Sequence, residues 1–160
     1  MSATTRETVI TADPALPTIE ILREFDAPVD RVYRAWTERE LAEKWIGPHS
    51  IDTSIEHWDL RRGGSWRYTC GRGDDQHRFF GSFHDVVPNE RITQTFTYEP
   101  FPEGVSLEIA SFEGLDGGRT RVRALSVLPS LEARDAMVSS GMDTGVREGY
   151  EKMDALLASL

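Results

Sequence analysis

The stretch from Ser50 to Leu128 most restricts what this chain can become. Residues of alternating character recur there with a period of two in six runs: Ile51 to His57, Ser65 to Cys70, His77 to Val87, Arg91 to Tyr98, Val105 to Phe112 and Arg119 to Leu128. That is the period of strands with one face buried. Between the runs stand Arg62-Gly63-Gly64, Gly71 to Asp75, Pro88-Asn89-Glu90, Pro100 to Gly104 and Asp116-Gly117-Gly118, short segments rich in turn-forming residues. Gaps of that length cannot hold the helical crossover a parallel pair requires, so the six strands form an antiparallel meander.

What flanks the meander is helical. Thr18 to Phe25 alternates as a first strand, and Asp26-Ala27-Pro28 then offers a capping carboxylate and a first-turn proline to a helix whose Val29, Val32, Tyr33 and Trp36 share one stripe. Thr37 with Glu40 makes a capping box for a second short helix carrying Leu41 and Trp45, and Gly47-Pro48 stops it. Leu131 to Val138 is a further helical segment. The last element, Gly141 to Leu160, places Met142, Val146, Tyr150, Met153, Leu156, Leu157 and Leu160 on one arc, with Asp143, Arg147, Glu148, Glu151 and Asp154 outside it. Gly141, Gly145 and Gly149 recur every fourth residue along this helix, and an interior glycine costs a helix about 1 kcal/mol relative to alanine. Either the helix backbone approaches the sheet closely there, or volume has been left out for a ligand.

The predicted class is therefore α+β: about seven antiparallel strands curved around a long C-terminal helix, with two short helices after the first strand. Residues 18–160 form one domain, and 1–17 a flexible polar tail. A chain of 160 residues can bury roughly 68–70% of its unfolded surface and needs no covalent staple. Strand parity puts Trp66, Tyr68 and Cys70 on one face, with Phe79, Gly81 and Phe83, and with Ile92, Gln94, Phe96 and Tyr98. Arg119, Arg121 and Arg123 alternate on the opposite, wet face, where Glu108 is expected to neutralise them. The inward set is aromatic with polar tips, which suits a pocket for a mostly apolar ligand; filling the core with the same rings is the plainer alternative.

Composition removes several function classes. A net charge of −9 lacks the basic footprint that nucleic acid requires. The single Cys70 can form no internal disulfide, which favours a reducing compartment, and cytosol is the expected location. No run of apolar residues is long enough for a membrane span, so no membrane insertion is expected.

One set of residues matches a known family. Phe25-Asp26-Ala27-Pro28, Ala35-Trp36-Thr37, Trp45 with Gly47-Pro48, Asp59-Leu60-Arg61 with Gly63-Gly64, Trp66-Arg67-Tyr68, Gly81, Val87-Pro88 and Glu90-Arg91-Ile92 resemble the family of the activator of heat-shock protein 90 ATPase. That family sits within the START-like (SRPBCC), helix-grip superfamily. Arg134-Asp135-Ala136-Met137, Ser140-Gly141-Met142, Gly145-Val146, Tyr150 and Leu156-Leu157 extend the resemblance through the closing helix. It implies a helix-grip fold with a cavity under the last helix, holding a lipid, an aromatic or a polyketide-like compound. The eukaryotic co-chaperones of this type carry an additional N-terminal domain, whereas only a short tail precedes Thr18 here, which argues against chaperone contact.

Residues with catalytic potential are few. His49, His57, His77 and His84 follow no HxH or HExxH spacing, so no metal is expected, and no cofactor motif is present. There is no GxSxG elbow or phosphate-binding loop, Gly71-Arg72-Gly73-Asp74 is a hairpin turn, and Cys70 on its aromatic strand is an inert buried thiol. Asp59 and Arg61 are expected to pair across the turn that follows them. The preferred reading is a non-enzymatic protein that binds a small hydrophobic molecule. Trp66, Tyr68, Phe83 and Phe96 would form the sheet wall, Met142, Val146 and Tyr150 the helix wall, and Trp36 and Trp45 the entrance. His57 is the candidate polar contact. A cyclase- or hydrolase-like enzyme using the same cavity and a co-chaperone-like module are the alternatives, and a homodimer is open.

Overall fold

The computed structural model describes residues 7–160. Its elements follow in the order β1 (Val9–Ala12), β2 (Thr18–Phe25), α1 (Val29–Thr37), α2 (Arg39–Trp45), β3 (Asp52–Trp58), β4 (Ser65–Arg72), β5 (Asp75–Val87), β6 (Arg91–Tyr98), β7 (Ser106–Leu115), β8 (Arg119–Val127), α3 (Leu131–Ser139) and α4 (Met142–Ser159). The strands make one antiparallel sheet in the order β1-β2-β8-β7-β6-β5-β4-β3. The meander thus runs from β3 back to β8, and β8 pairs with β2, so the first and last long strands are neighbours. The α1–α2 connection carries the chain from β2 to the far edge of the sheet.

Eight strands stand where the periodicity predicts seven. The addition is β1, which lies inside the segment read as a tail and pairs with β2 through Val9↔Leu22 to Ala12↔Ile19. Four residues give too short an alternation to register as a strand, and its pairing with β2 is what makes it one. Residues 1–6 of that tail lie outside the described residues.

Two predicted caps are replaced. Pro28 is the N-cap of α1 without a side-chain cap, and the Asp26 carboxylate lies 3.6 Å from the Arg119 guanidinium. Thr37 ends α1, donating from its hydroxyl to the Tyr33 carbonyl at 2.8 Å, and so makes no capping box with Glu40. The break between α1 and α2 falls one residue later than the motif implied. By contrast Ser130 caps α3, accepting from the Ala133 amide at 3.0 Å. Gly141 at φ +87° then turns the chain into α4, a left-handed conformation that a side chain would strain.

The core lies between the concave sheet face and the helices. Phe25, Val32, Phe83, Val122 and Met153 are fully buried there. Edge-on ring contacts, Phe25 with Tyr150 and Tyr33 with Phe112, each at 5.3 Å between centroids, join β2, α1, β7 and α4 into one cluster. Asp154 of α4 receives Arg23 of β2 at 2.7 and 2.5 Å, a bidentate pair that fixes the helix across the sheet. On the outer face Arg119 and Arg121 meet Glu24, Arg121 also meets Glu113, and Arg123 meets Glu20. Glu108 takes no part in that ladder.

Glycine has one close-packing role in α4. A Cβ at Gly149 would stand 2.8 Å from the Trp45 carbonyl oxygen, whereas at Gly145 it would meet Pro48 at an ordinary 3.5 Å, and at Gly141 nothing within 4 Å. The close approach is to the end of α2, not to the sheet.

Candidate functional site

Register settles which side chains share the concave face. One row across the sheet runs Phe83↔Gln94↔Glu108↔Ser126↔Ile19. Register partners point to the same side, and Phe83 and Ile19 are buried in the core, so Glu108 points inward with them. The expectation that Glu108 neutralises the outer arginines is overturned. It shares parity with Phe112, a core residue on the same strand, and a strand cannot turn one of its even positions outward without a bulge.

The carboxyl of Glu108 is held by hydroxyls alone. Ser106, two residues back on β7, lies 3.0 Å from Oε1, and Ser126 of β8 donates to Oε2. Burial raises the carboxyl from 4.5 to about 7, an effect the two serine hydrogen bonds oppose without cancelling. Ser106 also lies 3.3 Å from the Phe96 carbonyl, and its one hydroxyl proton can serve one acceptor at a time. With Glu108 ionised, Ser106 donates to it; with Glu108 neutral, the acid donates to Ser106, which donates to Phe96. Both protonation states are satisfied in the same geometry.

Around this acid the wall is aromatic. Trp66 stacks on Tyr68 at 5.1 Å, Tyr68 is 5.4 Å from Phe79, Phe79 5.2 Å from Phe96, and Phe96 5.7 Å from Trp66, a closed circuit of rings from β4, β5 and β6. Gly81 between Phe79 and Phe83 allows it: a Cβ there would lie 2.7 Å from the Trp66 indole nitrogen and 2.0 Å from the Thr95 carbonyl oxygen. The Trp66 N–H is buried without a hydrogen-bond partner among the described residues. Burial pushes the Tyr68 and Tyr150 phenols upward, and the charge of Glu108 adds to both shifts.

The residues read as one pocket from the sequence fall into two groups. Trp36, Trp45 and Tyr150 pack together, with centroids 4.6, 5.8 and 6.1 Å apart, and Trp45 donates from its indole to the Ala35 carbonyl. Tyr150 joins the buried Phe83 and Trp66 in the core, and Trp36 and Trp45 are half-buried against it. Tyr68, Phe96, Met142 and Val146 are only half-buried, as are Gln94, Glu108 and Ser126. Helix α4 is therefore sealed along its C-terminal half by Tyr150, Met153 and Leu157, and looser along its first two turns. His57 is exposed on the edge strand β3, paired in register with Arg67 and bonded to Ser65 at 3.0 Å, on the convex side away from the acid.

Other predicted groups are placed as follows. Arg61 reaches both Asp59 oxygens at 3.0 Å, the expected pair ahead of the glycine turn. Cys70 is buried beside the Thr53 hydroxyl at 3.2 Å, with its thiol pushed up by burial. No cluster of metal-ligating side chains occurs among the described residues, and no helix among them is long and apolar enough to cross a membrane. A cleft of about 230 Å³ opens at the other end of α4, lined by Glu24, Asp26, Asp154, Leu157 and Ala158.

An antiparallel sheet gripping a long C-terminal helix defines a helix-grip protein of the START-like kind. The family model for activator of Hsp90 ATPase homolog 1-like protein matches residues 26–158, and the chain belongs to that family. Among solved structures it is similar to a Mycobacterium smegmatis protein at 26% identity and TM-score 0.84, covering 94% of this chain and 97% of that one. An Arthrobacter aurescens protein is 26% identical with TM-score 0.86, covering 95% and 92%. A Rhodobacter sphaeroides protein, at 24% identity and TM-score 0.87 over 96% and 100%, shares the fold. No curated protein matches.

Proposed function

We propose that the protein binds a small, mainly hydrophobic molecule between the sheet wall formed by Tyr68, Phe79 and Phe96 and the first two turns of α4. The observation that carries this reading is the contrast along one apolar arc of one helix: Tyr150, Met153 and Leu157 are buried in the core, while Met142 and Val146 are only half-buried against it. A set of aromatic side chains left half-buried around one polar group is the usual composition of a small-molecule site. The family and fold support a ligand-binding or chaperone-like module in general.

Titration with medium-chain alkyl and aromatic probes, followed by NMR, tests the reading. Shifts are expected at Tyr68, Phe96, Met142 and Val146, with the fully buried Val32 and Val122 unmoved, and Val146→Trp should abolish binding while leaving the fold intact. A panel that moves none of these signals refutes it. The enzymatic alternative draws support from Glu108, whose carboxyl titrates near the range a general acid-base uses. Turnover of ester or lactone probes that disappears in Glu108→Gln would favour it over simple binding. Chaperone contact is tested by adding the protein to Hsp90 and measuring its ATPase rate.

A further inference from the structure

Among the described residues, Glu108 is an inward carboxyl with no counterion. Arg23, which also points inward from β2, is neutralised by Asp154. Arg134 of α3 is taken up by the Leu16 and Thr18 carbonyls and by Asp135, and Arg147 of α4 donates to the Thr8 carbonyl. From β6 the neighbour is the uncharged Gln94, and from β8 the hydroxyl of Ser126. The titratable groups that feel Glu108 are the phenols of Tyr68 on β4 and Tyr150 on α4, both neutral at ordinary pH. No guanidinium or ammonium lies within ion-pair distance of Glu108 among the described residues.

A carboxyl drawn partly out of water usually finds a cationic partner inside its own chain, because an unpaired desolvated charge is costly. Here each oxygen accepts from one serine and keeps a further lone-pair direction open, and the adjacent surface is a circuit of aromatic faces. Ring faces and a carboxylate both attract positive charge, and both disfavour an anionic headgroup. The serines hold the carboxyl in place without neutralising it. We propose that the molecule taken by this site is an apolar amine, whose protonated nitrogen pairs with Glu108 while its hydrocarbon lies against Phe79, Phe96 and Val146. The proposal rests on the binding site described above and names the chemical class that fills it.

Three chains of equal length and different headgroup, decylamine, decanol and decanoate, separate this proposal from the general one. In calorimetric titration at pH 7.5 the amine should bind about tenfold more tightly than the alcohol, and decanoate most weakly, since a buried ion pair outweighs a neutral hydrogen bond by roughly that factor. In Glu108→Gln the amine should lose that advantage and bind no more tightly than the alcohol does in the same variant. Amine affinity should rise about tenfold between pH 6 and pH 8 as a carboxyl titrating near 7 ionises. Should the variant fail to fold, the wild-type protein alone decides: amine binding at pH 6.5 releases protons, visible as a different heat in two buffers of unlike ionisation enthalpy. Equal affinity for amine and alcohol, or a preference that survives in Glu108→Gln, or no proton release, overturns the amine assignment and leaves the hydrophobic site standing. Failure of all three chains to bind removes both.

Discussion

Two alanine substitutions one helical turn apart in α4 are expected to act in opposite directions. At Gly145 a methyl group would meet Pro48 Cδ at 3.5 Å, ordinary contact, so Gly145→Ala should realise most of the helix-propensity gain of about 0.5–1 kcal/mol. At Gly149 the same methyl would stand 2.8 Å from the Trp45 carbonyl oxygen, which is main chain at the end of α2 and cannot rotate away. Helix α4 would have to lift by about half an ångström, disturbing the Tyr150 ring packed against Trp36, Trp45 and Phe25, and overpacking of that kind costs about 1–3 kcal/mol. After the same propensity gain, Gly149→Ala should be net destabilising by about 1 kcal/mol. The two variants should then differ in melting temperature by roughly 4–6 °C, at about 2–4 °C per kcal/mol for a chain of this size. Urea denaturation followed by circular dichroism gives the free energies directly. If both variants melt above the wild type by similar amounts, α4 does not approach α2 as closely as described, and the steric argument fails.

Other perturbations test separate parts of the structure. Because the folded-state value of Glu108, about 7, lies above its ordinary 4.5, its stability contribution is present below pH 4.5 and is lost as pH rises through 7. Relative to Glu108→Gln, the wild type should lose up to about 3 kcal/mol between pH 4.5 and pH 8, and parallel stability curves would refute the burial of that carboxyl. Asp154→Ala leaves the buried Arg23 guanidinium with little beyond the Glu24 carbonyl and should cost about 2–3 kcal/mol. Replacing Arg23 by Met in the same chain should recover much of that loss, and a double variant no better than Asp154→Ala would show that the pair is not what holds the helix. Cys70 should react with a thiol reagent far more slowly in the folded protein than in urea, and rapid native labelling would contradict its burial.

The sheet was largely legible in the sequence because its signal is local. Alternation assigned the inward set Trp66, Tyr68, Phe79, Phe83 and Phe96 correctly, as the register pairs confirm. The bulge between Phe83 and Asp85 left that parity intact for the residues before it. Glu108 was misplaced for a specific reason: a carboxylate near three arginines in sequence pattern suggests an ion pair, and that chemical expectation overrode the parity shared with Phe112. Counting back by twos from Phe112 would have found it. Caps were less legible, since Asp26 and Thr37 carry capping side chains that are used elsewhere, Asp26 for Arg119 across the fold and Thr37 for the Tyr33 carbonyl within α1. The pairing of β1 was invisible because four residues do not make a period.

Local periodicity and turn chemistry by themselves determined the α+β class, the antiparallel meander, the amphipathic closing helix and which faces of β4, β5 and β6 look inward. Those properties depend on neighbours within a few residues, which the chain carries explicitly. Only the tertiary structure decided that Tyr150 is buried in the core while Val146 is half-buried at its edge, that Gly149 meets α2 and not the sheet, and that Glu108 lies among serines and aromatic rings with no counterion among the described residues. Each of those outcomes depends on surfaces brought together from separate elements, as where Gly149 of α4 meets the Trp45 carbonyl of α2. Such contacts are set by the packing of the whole domain, and no single segment encodes them.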